Sequence, residues 1–87
     1  MYFHKDPLSR YTIIELATTD HSGLLALVGQ VFIELEIQLH DAKITTIGSR
    51  VEDMFYVTDK QLHPIADTDK LEEIRNKLIL KIEEKTD

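Results

Sequence analysis

The residues Asp20-His21-Ser22-Gly23-Leu24-Leu25 are the types best suited to holding a small polar ligand. An acid, an imidazole and a hydroxyl precede a glycine and an apolar run. If a helix starts there, its first N–H groups lack partners and carry partial positive charge. A free carboxylate could then sit on the amides of residues 23–25. Gly23 has no Cβ to hold a ligand away from the backbone. Asp20 could accept from an ammonium. An α-amino acid carries both groups. The same residues also read as an ordinary helix cap with an Asx-type turn, Ser22 being the capping residue.

Elsewhere the side chains offer little chemistry. The four histidines, His4, His21, His40 and His63, are scattered. No pair stands four apart with a Glu between, so no metal site is expected. Ser9, Ser22 and Ser49 fall at turns and outside any G-x-S-x-G motif. Glu72-Glu73 and Glu83-Glu84 suit a solvated helix face. A small hydrolase would need an Arg beside the anion loop. Arg10, Arg50 and Arg75 are the only arginines, and none is there. No catalytic residue and no cofactor are assigned. With no cysteine, disulfides and thiol catalysis are excluded.

Composition narrows the partners. Ten basic against 16 acidic residues give a net charge of −6, which argues against a nucleic-acid backbone as ligand. No apolar run approaches the roughly 18 residues of a membrane span. The opening residues have no apolar signal core, so the expected compartment is the cytoplasm. Eighty-seven residues make one domain. A chain this short buries only about 60–65% of its unfolded surface, so a partner surface would help it.

The elements that must position the turn follow from periodicity. Residues 10–18 alternate as a strand, with Thr12, Ile14, Leu16 and Thr18 on one face and Tyr11, Ile13, Glu15 and Ala17 on the other. Leu24, Leu27, Val28, Val31 and Leu35 predict an amphipathic helix over 23–35. Gly29 inside it costs about 1 kcal/mol against Ala, and tight packing on a sheet would explain it. Residues 37–47 form a second strand whose apolar phase slips, so a bulge is expected near His40-Asp41. Gly48-Ser49-Arg50 turns into a third strand over 51–58, where Asp53 shares a face with Val51, Phe55 and Val57. Pro64 keeps residues 59–66 in a loop. Asp67 or Asp69 can cap the last helix, Asp69 and Glu72 having capping-box spacing. Leu71, Ile74, Leu78 and Ile82 form its apolar stripe, and Glu73 with Lys77 a surface pair.

The order β-α-β-β-α is a split βαβ unit without its final strand: an α+β, ferredoxin-like fold with both helices on one face of an antiparallel sheet. Residues 1–9 are a lead-in, 10–84 the domain and 85–87 a tail. Tyr2-Phe3-His4 is the candidate to replace the missing strand. If 37–47 is the sheet edge, Thr45, Thr46 and Ile47 leave it open to a second copy.

Three segments now resemble a known family. Asp20-x-x-Gly23-Leu24-Leu25, Ala42-x-Ile44-x-Thr46-x-Gly48 and Val51-x-Asp53-x-Phe55-x-Val57-Thr58-Asp59 are together similar to an ACT domain, over residues 11–82. The tract 42–57 is most like ACT domains that regulate a nitrogen-metabolism enzyme whose catalytic domains lie upstream. The resemblance implies a small-molecule sensor that binds an amino acid, here glutamine, at an interface between paired domains, as a homodimer or with a second ACT domain. It implies no active site in this segment. The ligand loop would be Asp20, His21, Ser22, Gly23, Leu24 and Leu25. Asp41, Ala42 and Lys43 would face a neighbouring domain's loop. The family often has Pro where this chain has Ser22, so the loop is expected to be looser. The rival expectation is a dimerisation module indifferent to ligand.

Overall fold

A computed structural model describes residues 1–8, 10–18 and 23–86, the side chains of Lys85 and Thr86 excepted. The chain runs β1 (Tyr2–Lys5), β2 (Thr12–Thr18), α1 (Leu24–Glu34), β3 (Gln38–Ile47), β4 (Arg50–Thr58) and α2 (Thr68–Thr86). The strands form one antiparallel sheet in the order β1-β2-β4-β3.

The alternation in β2 sets the two faces. Thr12, Ile14 and Leu16 are buried, and their register partners Val57, Phe55 and Asp53 lie beside them on β4. Over this face α1 contributes Leu24, Val28, Val31 and Phe32, and α2 contributes Ile74 and Leu78. Phe32 meets Phe55 edge to face at 5.8 Å, a favoured aromatic geometry that locks α1 to β4. Leu71 and Ile82 of the α2 stripe are partly buried against the same core.

β1 fills the place of a strand after α2. It pairs antiparallel with β2, from Tyr2↔Glu15 to Lys5↔Thr12. It therefore runs parallel to β4, the direction a crossover from β4 through α2 would give. Phe3 packs on the core, and Arg75 of α2 holds the strand down. Its guanidinium lies 5.1 Å from the Phe3 ring and donates to the Met1 carbonyl at 3.2 Å. Tyr2-Phe3-His4 is thus a strand of the sheet, as the order of elements required.

The slip in β3 is a bulge between Leu39 and Asp41, with His40 the extra residue. It lets Leu39 and then Ala42, Ile44 and Thr46 share the helix side. Gly48, at φ 62, makes the turn into β4.

Four local expectations are corrected. The N-cap of α1 is Gly23, in the left-handed region at φ 71, ψ 0, and not Ser22, which lies outside the described residues. A Cβ built on Gly29 would meet nothing within 4 Å, so packing on the sheet does not demand a glycine there. Asp67 starts α2: its carboxylate accepts from the Asp69 N–H at 3.1 Å, in place of the Asp69–Glu72 box. Glu73 pairs with Lys70 at 3.5 Å, which frees Lys77 to bridge to Glu34 of α1 at 3.3 Å.

The loop 59–67 is strapped across the core end by one hydroxyl. Thr12 Oγ1 donates to the Ile65 carbonyl at 2.8 Å and accepts from the Ile65 N–H at 2.7 Å, all of it buried. Thr12→Val keeps the shape and strands both Ile65 groups. We expect a loss of about 1–3 kcal/mol in urea unfolding. An unchanged midpoint would show that Ile65 side-chain burial alone holds the loop.

Candidate functional site

The α1 turn is the first candidate. β2 ends at Thr18, and Asp20, His21 and Ser22 fall outside the described residues. Gly23 is exposed, and its carbonyl accepts the first helical bond from Leu27 at 3.2 Å. The backbone reaches the left-handed region there, where a glycine costs nothing and a β-branched residue is strained. The first turn of α1 carries no acidic side chain of its own. Among the described residues no acidic side chain meets the positive end of the helix. Leu24 and Leu25 split in role. Leu24 is 1% exposed and anchors the helix in the core, so it can offer a ligand only backbone. Leu25 is 42% exposed and points away from the core.

Asp41, Ala42 and Lys43 do not join this turn within one molecule. They pair with Tyr56, Phe55 and Met54. The α1 turn lies at the other end of the sheet, where Thr18, Val51 and Thr46 align. Five residues of strand, about 16 Å, separate Asp41 from Thr46. Ala42 is on the helix side, and Asp41 and Lys43 are on the open face. Only a second domain could bring its own β3 to this turn.

Asp53 reads in the sequence as an acid sharing an apolar face with Val51, Phe55 and Val57. The structure buries it completely, between Leu16 and Ile44 on the covered side of the sheet. It is engaged in a polar interaction, as a buried carboxylate must be. It stands two residues from Val51, the partner of Thr18, and so lies near the α1 end of the sheet. An acid at an inward position of an alternating strand was the signal.

Two of the described histidines have side-chain partners, and His63 is exposed in the 59–67 loop. His4 pairs with Glu15 at 2.8 Å, and His40 Nε2 lies 2.7 Å from the Thr58 hydroxyl. Among the described residues no group of three or more His, Cys, Asp and Glu could hold a metal. No helix there is long and apolar enough to cross a membrane.

Fold and turn together define a small α+β domain of ferredoxin-like topology, with a glycine-started helix at one end and β3 as an unpaired edge strand. Curated proteins carry the comparison further. The chain is 51% identical over 65 residues to the bifunctional uridylyltransferase/uridylyl-removing enzyme of Methylococcus capsulatus, covering 75% of this chain and 7% of that enzyme. It is 46% identical over 77 residues to the enzyme of the same name from Psychrobacter sp., covering 88% and 8%. With that of Ectopseudomonas mendocina the identity is 38% over 81 residues, covering 93% and 9%. The chain thus spans less than a tenth of these relatives, which are enzymes by name. No family model matches the chain, and no solved structure matches it.

Proposed function

We propose that this chain is an ACT-type sensor domain of a bifunctional uridylyltransferase/uridylyl-removing enzyme. On this reading it binds glutamine and so controls uridylylation and deuridylylation of the PII nitrogen-regulatory protein by separate catalytic domains. The observation that carries the reading is the helix start at an exposed, left-handed Gly23 with no acidic side chain in the first turn, in a chain whose relatives bear that enzyme's name. The ligand carboxylate would lie on the amides of residues 23–25 and its ammonium near Asp20. His21 and Ser22 complete the loop. The side-chain amide would read backbone of a facing β3 at Asp41, Ala42 and Lys43. A ligand bridging two domains favours one arrangement by its differential affinity, and allosteric couplings of about 1–3 kcal/mol are usual.

The pairing has its own support. Every residue of β3 is exposed, and Leu39 and Ile44 remain about half exposed on the helix side. On α1, Leu25, Gly29 and Ile33 recur every four residues, and Ile33 is 80% exposed. Gly29 has open space above it, where a second helix could approach closely.

Calorimetric titration with L-glutamine, and glutamate as control, tests the sensor. Saturable heat with glutamine alone supports it. A constant dimer that ignores both amino acids supports the dimerisation module instead.

Gly29 separates surface from core. Gly29→Ala should raise stability by about 1 kcal/mol in urea unfolding, through helix propensity alone. Gly29→Trp should leave the fold intact and weaken self-association in sedimentation equilibrium. A dimer indifferent to Trp at this position would take α1 out of the interface.

A further inference from the structure

The open face of the sheet carries a second, separate feature. All three tyrosines of the chain, Tyr2, Tyr11 and Tyr56, belong to it, whereas all three phenylalanines belong to the covered side. Phenylalanine suits a dry core. Tyrosine suits a surface that presents an apolar ring and a wet hydroxyl. Beneath these rings Ile13 is only 6% exposed, although no helix covers that face. Its register neighbours Tyr56 and His4 wall it in.

At the end far from α1's turn the face opens into a cleft of about 590 Å³. Asp6, Arg10, Tyr11, Asp41, Lys43 and Tyr56 line it, with Pro7 and His40 at the rim, so two cations face two carboxylates. The β3 bulge is the device that builds it, because it brings the consecutive residues His40 and Asp41 to one rim. The Tyr11 ring lies 5.1 Å from His40 and 6.1 Å from Tyr56, the latter edge to face. Each tyrosine has a cation over it: Arg10 at 5.4 Å from Tyr11, and Lys43 at 5.3 Å from Tyr56. Among the described residues Lys43 has no carboxylate partner, and Arg10 has only Asp6 at 3.7 Å. Asp41 turns one oxygen to its neighbour's N–H, at 2.8 Å from Ala42 N, and keeps the other.

We propose that this cleft binds a nucleoside monophosphate. Its base would stack on Tyr56, taking the ring face that Lys43 now covers, and meet the perpendicular Tyr11 ring edge to face. Its phosphate would draw Lys43 and Arg10 outward into charge-assisted bonds. Base N–H or ribose hydroxyl groups would donate to the free oxygen of Asp41. The volume lies within the range of small-ligand sites. The parts select against simpler ligands: inorganic phosphate offers nothing to the rings, and a bare nucleoside offers nothing to the cations. The chain's net charge of −6 works against polyphosphates and nucleic acid, so one phosphate is the class that fits. The cleft shares Asp41 and Lys43 with the β3 stretch that the glutamine reading offers to a facing domain, whereas Tyr11, His40 and Tyr56 belong to the cleft alone, and within one molecule it lies at the end of the sheet opposite the α1 turn.

The test is a titration of the 87-residue chain with adenosine monophosphate, followed by backbone amide correlation spectra. Saturable shifts should centre on Tyr11, His40, Lys43 and Tyr56. Adenosine and inorganic phosphate should each bind about tenfold or more weakly, as expected when stacking and charge are separated. Tyr56→Ala should weaken binding roughly tenfold or more, the usual cost of losing one stacking partner. Lys43→Ala should weaken it several-fold, and Lys81→Ala, on α2, should not change it. Dispersed spectra of each variant establish that it folds. The proposal is overturned if no saturable shift occurs, if the shifts lie elsewhere, or if phosphate alone reproduces them. Saturating L-glutamine added to the same samples should move residues 23–25 and 41–43 and leave Tyr11 and Tyr56 unmoved. The two sites therefore stand or fall on different signals.

Discussion

Gly23→Val should abolish glutamine binding and cost about 1–3 kcal/mol of stability, the largest functional effect we expect from one substitution. Two separate causes act. The backbone at this residue sits at φ 71, ψ 0, which a β-branched side chain adopts only under strain. The added branches would also stand where a carboxylate must approach the first N–H groups of α1. Gly23→Asn divides these causes. Asparagine tolerates the left-handed region, so its stability should stay near that of the parent. Its side chain still crowds the helix start, so calorimetry should show binding lost or weakened at least about tenfold, near 1.4 kcal/mol. If Asn binds glutamine normally and only Val fails, the glycine serves the backbone turn, and the ligand does not lie on these amides.

Most of the fold was legible because each element announces itself by period. The two faces of β2, the stripe of α1, the phase slip at His40-Asp41 and the hairpin at Gly48 are all local signals, and all were found where the spacing put them. What the sequence misassigned depended on groups far apart in the chain. Lys77 reaches Glu34 because α1 and α2 lie side by side, which no i,i+4 rule contains. Gly29 reads as a packing glycine until the space above it is known. The Thr12–Ile65 strap joins residues 53 apart. The site divides the same way. Gly23 reads in the sequence as a ligand approach, and its place as the left-handed N-cap of α1 is what the structure adds. Asp41 and Lys43 were picked out for a neighbour's loop. Their place beside Tyr11 and Tyr56 on the open face needed the register of three strands.

The strand that completes the sheet is where sequence and topology bear hardest on stability. Removing residues 1–5 should destabilise the domain by about 3 kcal/mol or more, by analogy with large truncations in a core. A domain of this length has only about 4–13 kcal/mol to lose. The deletion takes away the Phe3 ring that packs on the core and the register partners of Thr12, Ile13, Ile14 and Glu15. It also leaves Arg75 without the ring and the carbonyl it holds. Ile14, now wholly buried, would face water along the bared edge of β2. An exposed apolar edge pairs with whatever strand it meets. The shortened chain should therefore unfold at lower urea and form larger species in sedimentation velocity, in a concentration-dependent way. Phe3→Ala separates packing from pairing. It should lower stability while leaving the edge covered and the molecule no larger than the parent. If the truncated chain keeps the parent's midpoint and size, β1 rests on a sheet already complete with three strands, and α2 covers the core without it.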